Sequence, residues 1–124
     1  MHLNKILEIA NPKQLKAIKH PLAPLMIIAG AGTGKTFTLE NRIVYMIQKY
    51  NVDPKNILTI TYTEKAANEL KSRLLKKVGQ KAHPMFIGTF HSFCYKLMKD
   101  FFADTATASV LIDPVSYTHL TLPT

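Results

Sequence analysis

The apolar run Leu25-Met26-Ile27-Ile28 leads directly into Ala29-Gly30-Ala31-Gly32-Thr33-Gly34-Lys35-Thr36, and an amphipathic stretch begins at Phe37. That order predicts a strand, a phosphate loop and a helix. Glycines let such a loop turn sharply and bring backbone N–H groups onto phosphate oxygens, and a helix starting near Gly34 adds its positive dipole end at the same point. Lys35 supplies a mobile positive charge for β- and γ-phosphates, and the Thr36 hydroxyl suits Mg²⁺. The expected nucleotide contacts are therefore Ala29, Gly30, Ala31, Gly32, Thr33, Gly34, Lys35 and Thr36. Of these, Lys35 and Thr36 are the candidate catalytic residues and Thr36 the candidate metal ligand. Ala29 stands where the strict motif opens with glycine, a position at which the broader form accepts a small residue. A glycine-rich turn with an incidental lysine is the alternative, and the strand-to-helix context speaks against it.

The chain around this loop has 124 residues, 47% of them hydrophobic and 19% charged, which suits one modest globular domain rather than a disordered segment. No apolar run approaches the roughly 20 residues that cross a bilayer, and 1–4 lack the apolar core of a secretory signal, so a cytoplasmic protein is expected. Cys94 has no second cysteine to pair with and is expected to be a small buried apolar residue. The net charge of +8 and pI of about 9.7 favour polyanionic partners, although a merely solvated basic surface would look the same. The densest basic block lies between Lys65 and Lys81, where six Lys or Arg residues face only Glu69.

Helical spacing of Leu3, Ile6, Leu7 and Ala10 predicts a helix over 2–10, which Asn11-Pro12 ends. Asn11 is a plausible N-cap for a second helix over 12–20, which carries Gln14 in its first turn. Beyond the loop, Leu39, Ile43, Met46, Ile47 and Tyr50 form one stripe on a helix of about four turns, with Asn51 as a C′ residue and a turn at 53–56. The run 57–62 is β-branched and aromatic, hence a second strand. Thr63 can cap a helix over 64–78 that buries Ala67, Leu70, Leu74, Leu75 and Val78 and stops at Gly79. A third strand is expected at 85–88, with Thr89 capping a helix from 90 to about 102 that buries Phe90, Phe93, Leu97, Met98 and Phe101.

Strands separated by long helices imply the α/β class, with parallel pairing and ligands at the carboxyl ends of the strands. Three segments are then expected on one edge: the loop at 29–36, the turn at Tyr62-Thr63 and the turn at Gly88-Thr89. No internal repeat and no low-complexity tract interrupts this order.

NPKQLKAI, AGAGTGKT, ITYTEKAANEL and IGTFHSF, in that order, resemble the amino-terminal ATP-binding region of the UvrD/Rep/PcrA family of superfamily 1 DNA helicases. The resemblance implies a P-loop NTPase (RecA-like) fold, a parallel sheet flanked by helices and truncated here after about three strands. It implies ATP and Mg²⁺ as cofactors and single-stranded or duplex DNA as partner; no membrane is expected, for want of a long apolar run. It assigns Gln14 to the adenine edge, a role that an amide can fill by donating to N7 and accepting from the N6 amino group. It assigns 61–67 to single-stranded DNA, with Tyr62, Thr63 and Lys65 as contacts and the Tyr62 ring as a base-stacking platform whose alternative role is core packing. Thr89, His91 and Ser92 are implied contacts to the DNA backbone. Two departures stand out. Glu64 replaces the commoner asparagine and puts an anion beside the strand, though it also suits the first turn of a helix. Phe37 stands where the family often has arginine, which puts in doubt any polar contact made there.

Hydrolysis also needs an Asp-Glu pair for Mg²⁺ and water and a cationic finger for the transition state. The acidic strand end at Asp113 is not read as that pair, because a similar segment in the family leads toward an inserted subdomain. Residues 1–113 are thus expected to be a partial helicase ATP-binding domain, the first RecA-like domain, inactive alone, of a parent that moves 3′→5′. Residues 114–124 are expected to be a non-native tail: 115–124 can be written as GTC TCT TAT ACA CAT CTG ACG CTG CCG ACG, which resembles a transposase-based sequencing adapter read in frame. A short natural polar tail is the alternative. Two other functional readings stand beside the helicase: a small P-loop phosphotransferase such as a nucleotide kinase, and a nucleotide-binding remnant without catalysis. His91 and Cys94 are spaced like a metal pair, but no second pair exists and zinc is not expected.

Overall fold

The computed structural model describes residues 3–30, 32 and 34–101. Ala31, Thr33, Asp113 and residues 114–124 lie outside the described residues.

Local signals fix most element ends. Helix α1 (Leu3–Ile9) is followed by α2 (Pro12–Lys19). Between them Asn11 Oδ1 accepts from Gln14 N at 2.8 Å while Gln14 Oε1 accepts from Asn11 N at 3.0 Å. This reciprocal capping box satisfies two backbone donors at the start of α2. Helix α3 (Lys35–Gln48) springs from Gly34, and Asn51, the one non-glycine with positive φ (+53°) among the described residues, turns the chain beyond its end. A short 3₁₀ turn at Pro54–Asn56 leads into strand β1 (Leu58–Thr61). Thr63 Oγ1 accepts from Ala66 N at 3.1 Å and opens helix α4 (Glu64–Val78), which stops at Gly79 with φ +63°. Strand β2 (Phe86–Thr89) runs into helix α5 (Phe90–Phe101), where Thr89 Oγ1 accepts from Ser92 N at 3.2 Å.

The sheet has two parallel strands, joined through α4, in the register Leu58↔Phe86 to Thr61↔Thr89. This arrangement is consistent with the α/β class. The first of the three expected strands, at 25–28, is not present as a strand: the segment is unpaired, with Met26 83% and Ile28 90% exposed. A strand satisfies its N–H and C=O groups only against a neighbour, and no described strand lies beside this one. Residue type marked the segment correctly as apolar; pairing is a property of the surroundings.

The core gathers Leu3, Ile43, Val44, Ile47, Ile57, Leu70, Leu74, Ala82 and Met85, so α1, α3 and α4 close over the start of β1. The α3 stripe is buried at Ile43 and Ile47 but opens at Leu39, which is 40% exposed. Helix α5 departs further from expectation, because none of its residues is buried and Phe90 and Phe101 are largely exposed. It lies against the sheet on one side only, where Phe93 meets the edge of Phe86 at 5.5 Å between ring centroids. Cys94, on the same helix, is exposed rather than buried.

Between α3 and α4 lies a polar cluster. Glu40, its side chain 5% exposed, takes Lys77 Nζ at 3.1 Å and Arg73 at 3.9 Å, and Lys77 also donates to Asn41 Oδ1 at 2.7 Å. Two cations of the basic block on α4 are therefore engaged by Glu40 of a neighbouring helix rather than left to solvent. Such a buried pair contributes little net stability, because desolvation offsets attraction, but it is costly to break and fixes how the two helices meet. Among the described residues no helix is long and apolar enough to cross a membrane.

Candidate functional site

The candidate nucleotide site is built by α2 and α3 around the glycine-rich loop expected to hold phosphate. Gly32 (φ +75°) and Gly34 (φ +80°) both take left-handed conformations that side-chain-bearing residues rarely adopt. At Gly34 the space is closed as well, because a Cβ there would lie 2.6 Å from Gln14 Nε2. Gln14 therefore stands directly over the turn that starts α3. Its orientation is not accidental: the capping box ties its Oε1 to Asn11 N and leaves the amide nitrogen facing the loop. Sequence reasoning found Gln14 through resemblance; the reciprocal cap that aims it was legible in Asn11-x-x-Gln14 and was missed.

A second device holds α2 against α3. The Arg42 guanidinium donates to the carbonyls of Ala17 (3.0 Å), His20 (2.9 Å) and Pro21 (3.2 Å), and the Tyr50 hydroxyl donates to Lys19 O at 2.6 Å. These carbonyls lie at and just beyond the end of α2, where Ala17 O also accepts from His20 N at 3.4 Å, and a cation there meets the negative end of the helix dipole. On the first turn of α3, Thr38 Oγ1 donates to Gly34 O at 3.0 Å. The resulting cleft, about 360 Å³, is lined by Asn11, Lys13, Gln14, Ile27, Ile28, Ala29, Gly30, Lys35 and Thr38, among others. Its size falls in the range of small-molecule sites, and it combines apolar walls with a few convergent polar groups. Lys35 and Thr36 are exposed at its loop end. An amide, two apolar side chains, a lysine and a left-handed glycine turn fit a nucleotide with its phosphates at the helix start. A hydroxyl at Thr36 is the right donor for a magnesium ion that accompanies those phosphates.

The second candidate region lies where β1 and β2 end. Tyr62 is 96% exposed, so core packing is not its role. Thr63 and Lys65 are exposed beside it, the Thr63 hydroxyl being engaged as a helix cap. Across the register Thr89 is buried, and its Oγ1 donates to Glu64 Oε1 at 3.1 Å. Ser92 Oγ donates to the same Glu64 oxygen at 2.5 Å. The carboxylate thus ties the start of α4 to the start of α5. Gly88 permits this closeness, since a Cβ on it would lie 2.9 Å from the Phe86 ring and 3.3 Å from Ser92 Cβ. His91 is exposed on the first turn of α5. Among the described residues no three His, Cys, Asp or Glu side chains come together as a metal site.

Two of the three turns expected on one edge are therefore adjacent, and the phosphate loop is apart from them. Phe37 and Glu40, just past the loop, meet Lys77. Lys77 lies on the last turn of α4, about 20 Å along that helix from Glu64 at 1.5 Å per residue. The segment at 25–28, which leads into the loop, is not part of the sheet whose strand ends carry the other two turns.

Residues 10–116 match the model of the UvrD/REP helicase N-terminal domain. The chain belongs to that family. The matched span takes in Gln14, the loop, Tyr62 and Thr89 together. Among curated relatives, the ATP-dependent DNA helicase PcrA of Staphylococcus aureus is 43% identical over 97 residues, covering 78% of this chain and 13% of that protein. A probable DNA helicase II homolog of Mycoplasma capricolum is 42% identical over 99 residues, covering 80% of this chain and 14% of the relative. PcrA of Staphylococcus epidermidis is 41% identical over 97 residues, covering 78% and 13%. This UvrD/REP helicase N-terminal domain chain thus spans about one-seventh of the length of the relatives it matches.

Proposed function

We propose that this chain is the nucleotide-binding part of an ATP-dependent DNA helicase or translocase whose parent couples ATP hydrolysis to 3′→5′ movement on single-stranded DNA. The observation that carries the reading is the Gln14 amide held over Gly34 by its own capping box, a base-reading group fixed beside a phosphate cradle. Family membership supports the assignment, and so do the relatives named as ATP-dependent DNA helicases. In this reading the backbone of Ala29 to Gly34 holds the phosphates, Lys35 neutralises their charge and Thr36 ligates Mg²⁺. Magnesium would supply charge neutralisation on the phosphate oxygens. No carboxylate lines the cleft among the described residues. The chain by itself is accordingly expected to bind ATP·Mg weakly and not to turn it over. Residues 114–124 remain, in this proposal, a non-native tail.

Tyr62, Thr63, Lys65, Thr89, His91 and Ser92 form the DNA-facing edge, and the net charge of +8 favours the same partner. Stacking of a base on an exposed aromatic ring contributes about 1–3 kcal/mol. Tyr62→Ala should therefore weaken binding of a fluorescent oligothymidylate by about tenfold, read by anisotropy, without lowering the unfolding temperature. Equal affinity of the two chains would remove Tyr62 from the interface.

A further inference from the structure

Glu64 is the single acidic side chain among the residues of the two turns that form the DNA-facing edge. Its Oε1 receives the hydroxyl protons of both Thr89 and Ser92, while Thr89 Oγ1 accepts from Ser92 N. These are the donors that the proposed function assigns to the DNA backbone. A hydroxyl has one proton to give, so neither side chain can donate to a phosphate oxygen while it donates to Glu64. The carboxylate is also an anion of the same sign as the phosphate and sits where that phosphate would have to approach. Glu64 is exposed, so releasing the two hydroxyls returns its charge to water without a large desolvation cost.

From these contacts we infer that Glu64 is an affinity-tuning residue that competes with the nucleic-acid phosphate for Thr89 and Ser92. Binding of the backbone at this edge exchanges one anion for another: Glu64 swings out as the phosphate enters. The contact is weaker than it would be with a neutral side chain at this position, and easier to release. The inference rests on the DNA reading of this edge.

The test uses the 124-residue chain and a fluorescent oligothymidylate, titrated at low and at raised salt. Glu64→Gln keeps the side-chain length and removes the charge. It should bind about five- to tenfold more tightly at low ionic strength, with the gain shrinking as salt screens the repulsion. Glu69→Gln is the control, since Glu69 is an exposed carboxylate on the same helix and makes none of these contacts. It changes net charge equally and should shift affinity by less than about twofold. Matching unfolding curves establish that the variants fold alike. Unchanged or weaker binding by Glu64→Gln would overturn the inference, and so would an equal gain from Glu69→Gln, which would make the effect one of overall charge. If neither the unsubstituted chain nor Glu64→Gln binds the oligonucleotide, the DNA reading of the edge fails and takes the inference with it.

Discussion

Lys35→Ala should lower the affinity of the chain for ATP·Mg by about 100-fold while leaving its unfolding temperature unchanged. A hydrogen bond to a charged group contributes roughly 1.5–3 kcal/mol, and a lysine expected to meet both β- and γ-phosphate oxygens belongs in the upper part of that range. The folded chain itself loses little, because Lys35 is exposed at the first position of α3. Titration with a fluorescent ATP analogue reads the first effect and thermal unfolding the second. An unchanged affinity would reduce the loop to a glycine-rich turn with an incidental lysine. Hydrolysis by the unsubstituted chain that disappears in Lys35→Ala would contradict the proposal that the chain binds ATP without turning it over.

Gly34→Ala should disable the site by a different route, with stability and affinity lost together. A side-chain-bearing residue in the left-handed region costs about 1–2 kcal/mol. The new Cβ would also stand 2.6 Å from Gln14 Nε2, so the amide must leave its place. Moving it breaks the reciprocal cap with Asn11, which contributes about 1 kcal/mol. The sum, about 2–3 kcal/mol, corresponds to a fall in unfolding temperature of roughly 10 °C for a domain of this size. Affinity for ATP should fall more than about tenfold, since the loop and the base-reading amide are displaced at once. Gly32→Ala carries comparable left-handed strain with open space around it, and should be the milder of the two in thermal unfolding.

What could be read from the residues alone follows a physical boundary. Caps and stops involve neighbours a few residues apart, so Asn11, Thr63, Thr89 and Gly79 marked helix ends that the structure reproduces. Periodicity likewise located the buried faces of α1 and α4. Contacts across the fold left no such mark. Arg42 reaches back 22 to 25 residues to the end of α2, Lys77 reaches Asn41 across 36, and Glu64 reaches Thr89 across 25. Nothing in the sequence named these partners, although Glu64 stood out as an anion beside the expected DNA strand. The segment 25–28 and the aromatic residues of α5 show the converse. Apolar composition announced burial, but burial requires a partner, and only one side of α5 meets the sheet. For the candidate site the loop was legible as a motif, and Gln14 only through resemblance. The carboxylate that ties Thr89 and Ser92 together became visible once β1 and β2 were in register.

The two candidate regions are joined in a specific way in this structure. The loop end of α3 meets the last turn of α4 through Glu40 and Lys77, while the first turn of α4 carries Glu64 and its bonds to Thr89 and Ser92. Helix α4 is therefore the element that both regions touch, at opposite ends. The central claim remains that the cleft beside the loop reads adenine through Gln14. Competition of ATP and GTP, each with Mg²⁺, against a bound fluorescent nucleotide tests it most directly. Adenine offers N7 as an acceptor and N6 as a donor to one amide, whereas guanine presents acceptors at both places. ATP should displace the probe at a concentration at least about tenfold lower than GTP. Equal displacement by the two nucleotides would contradict it.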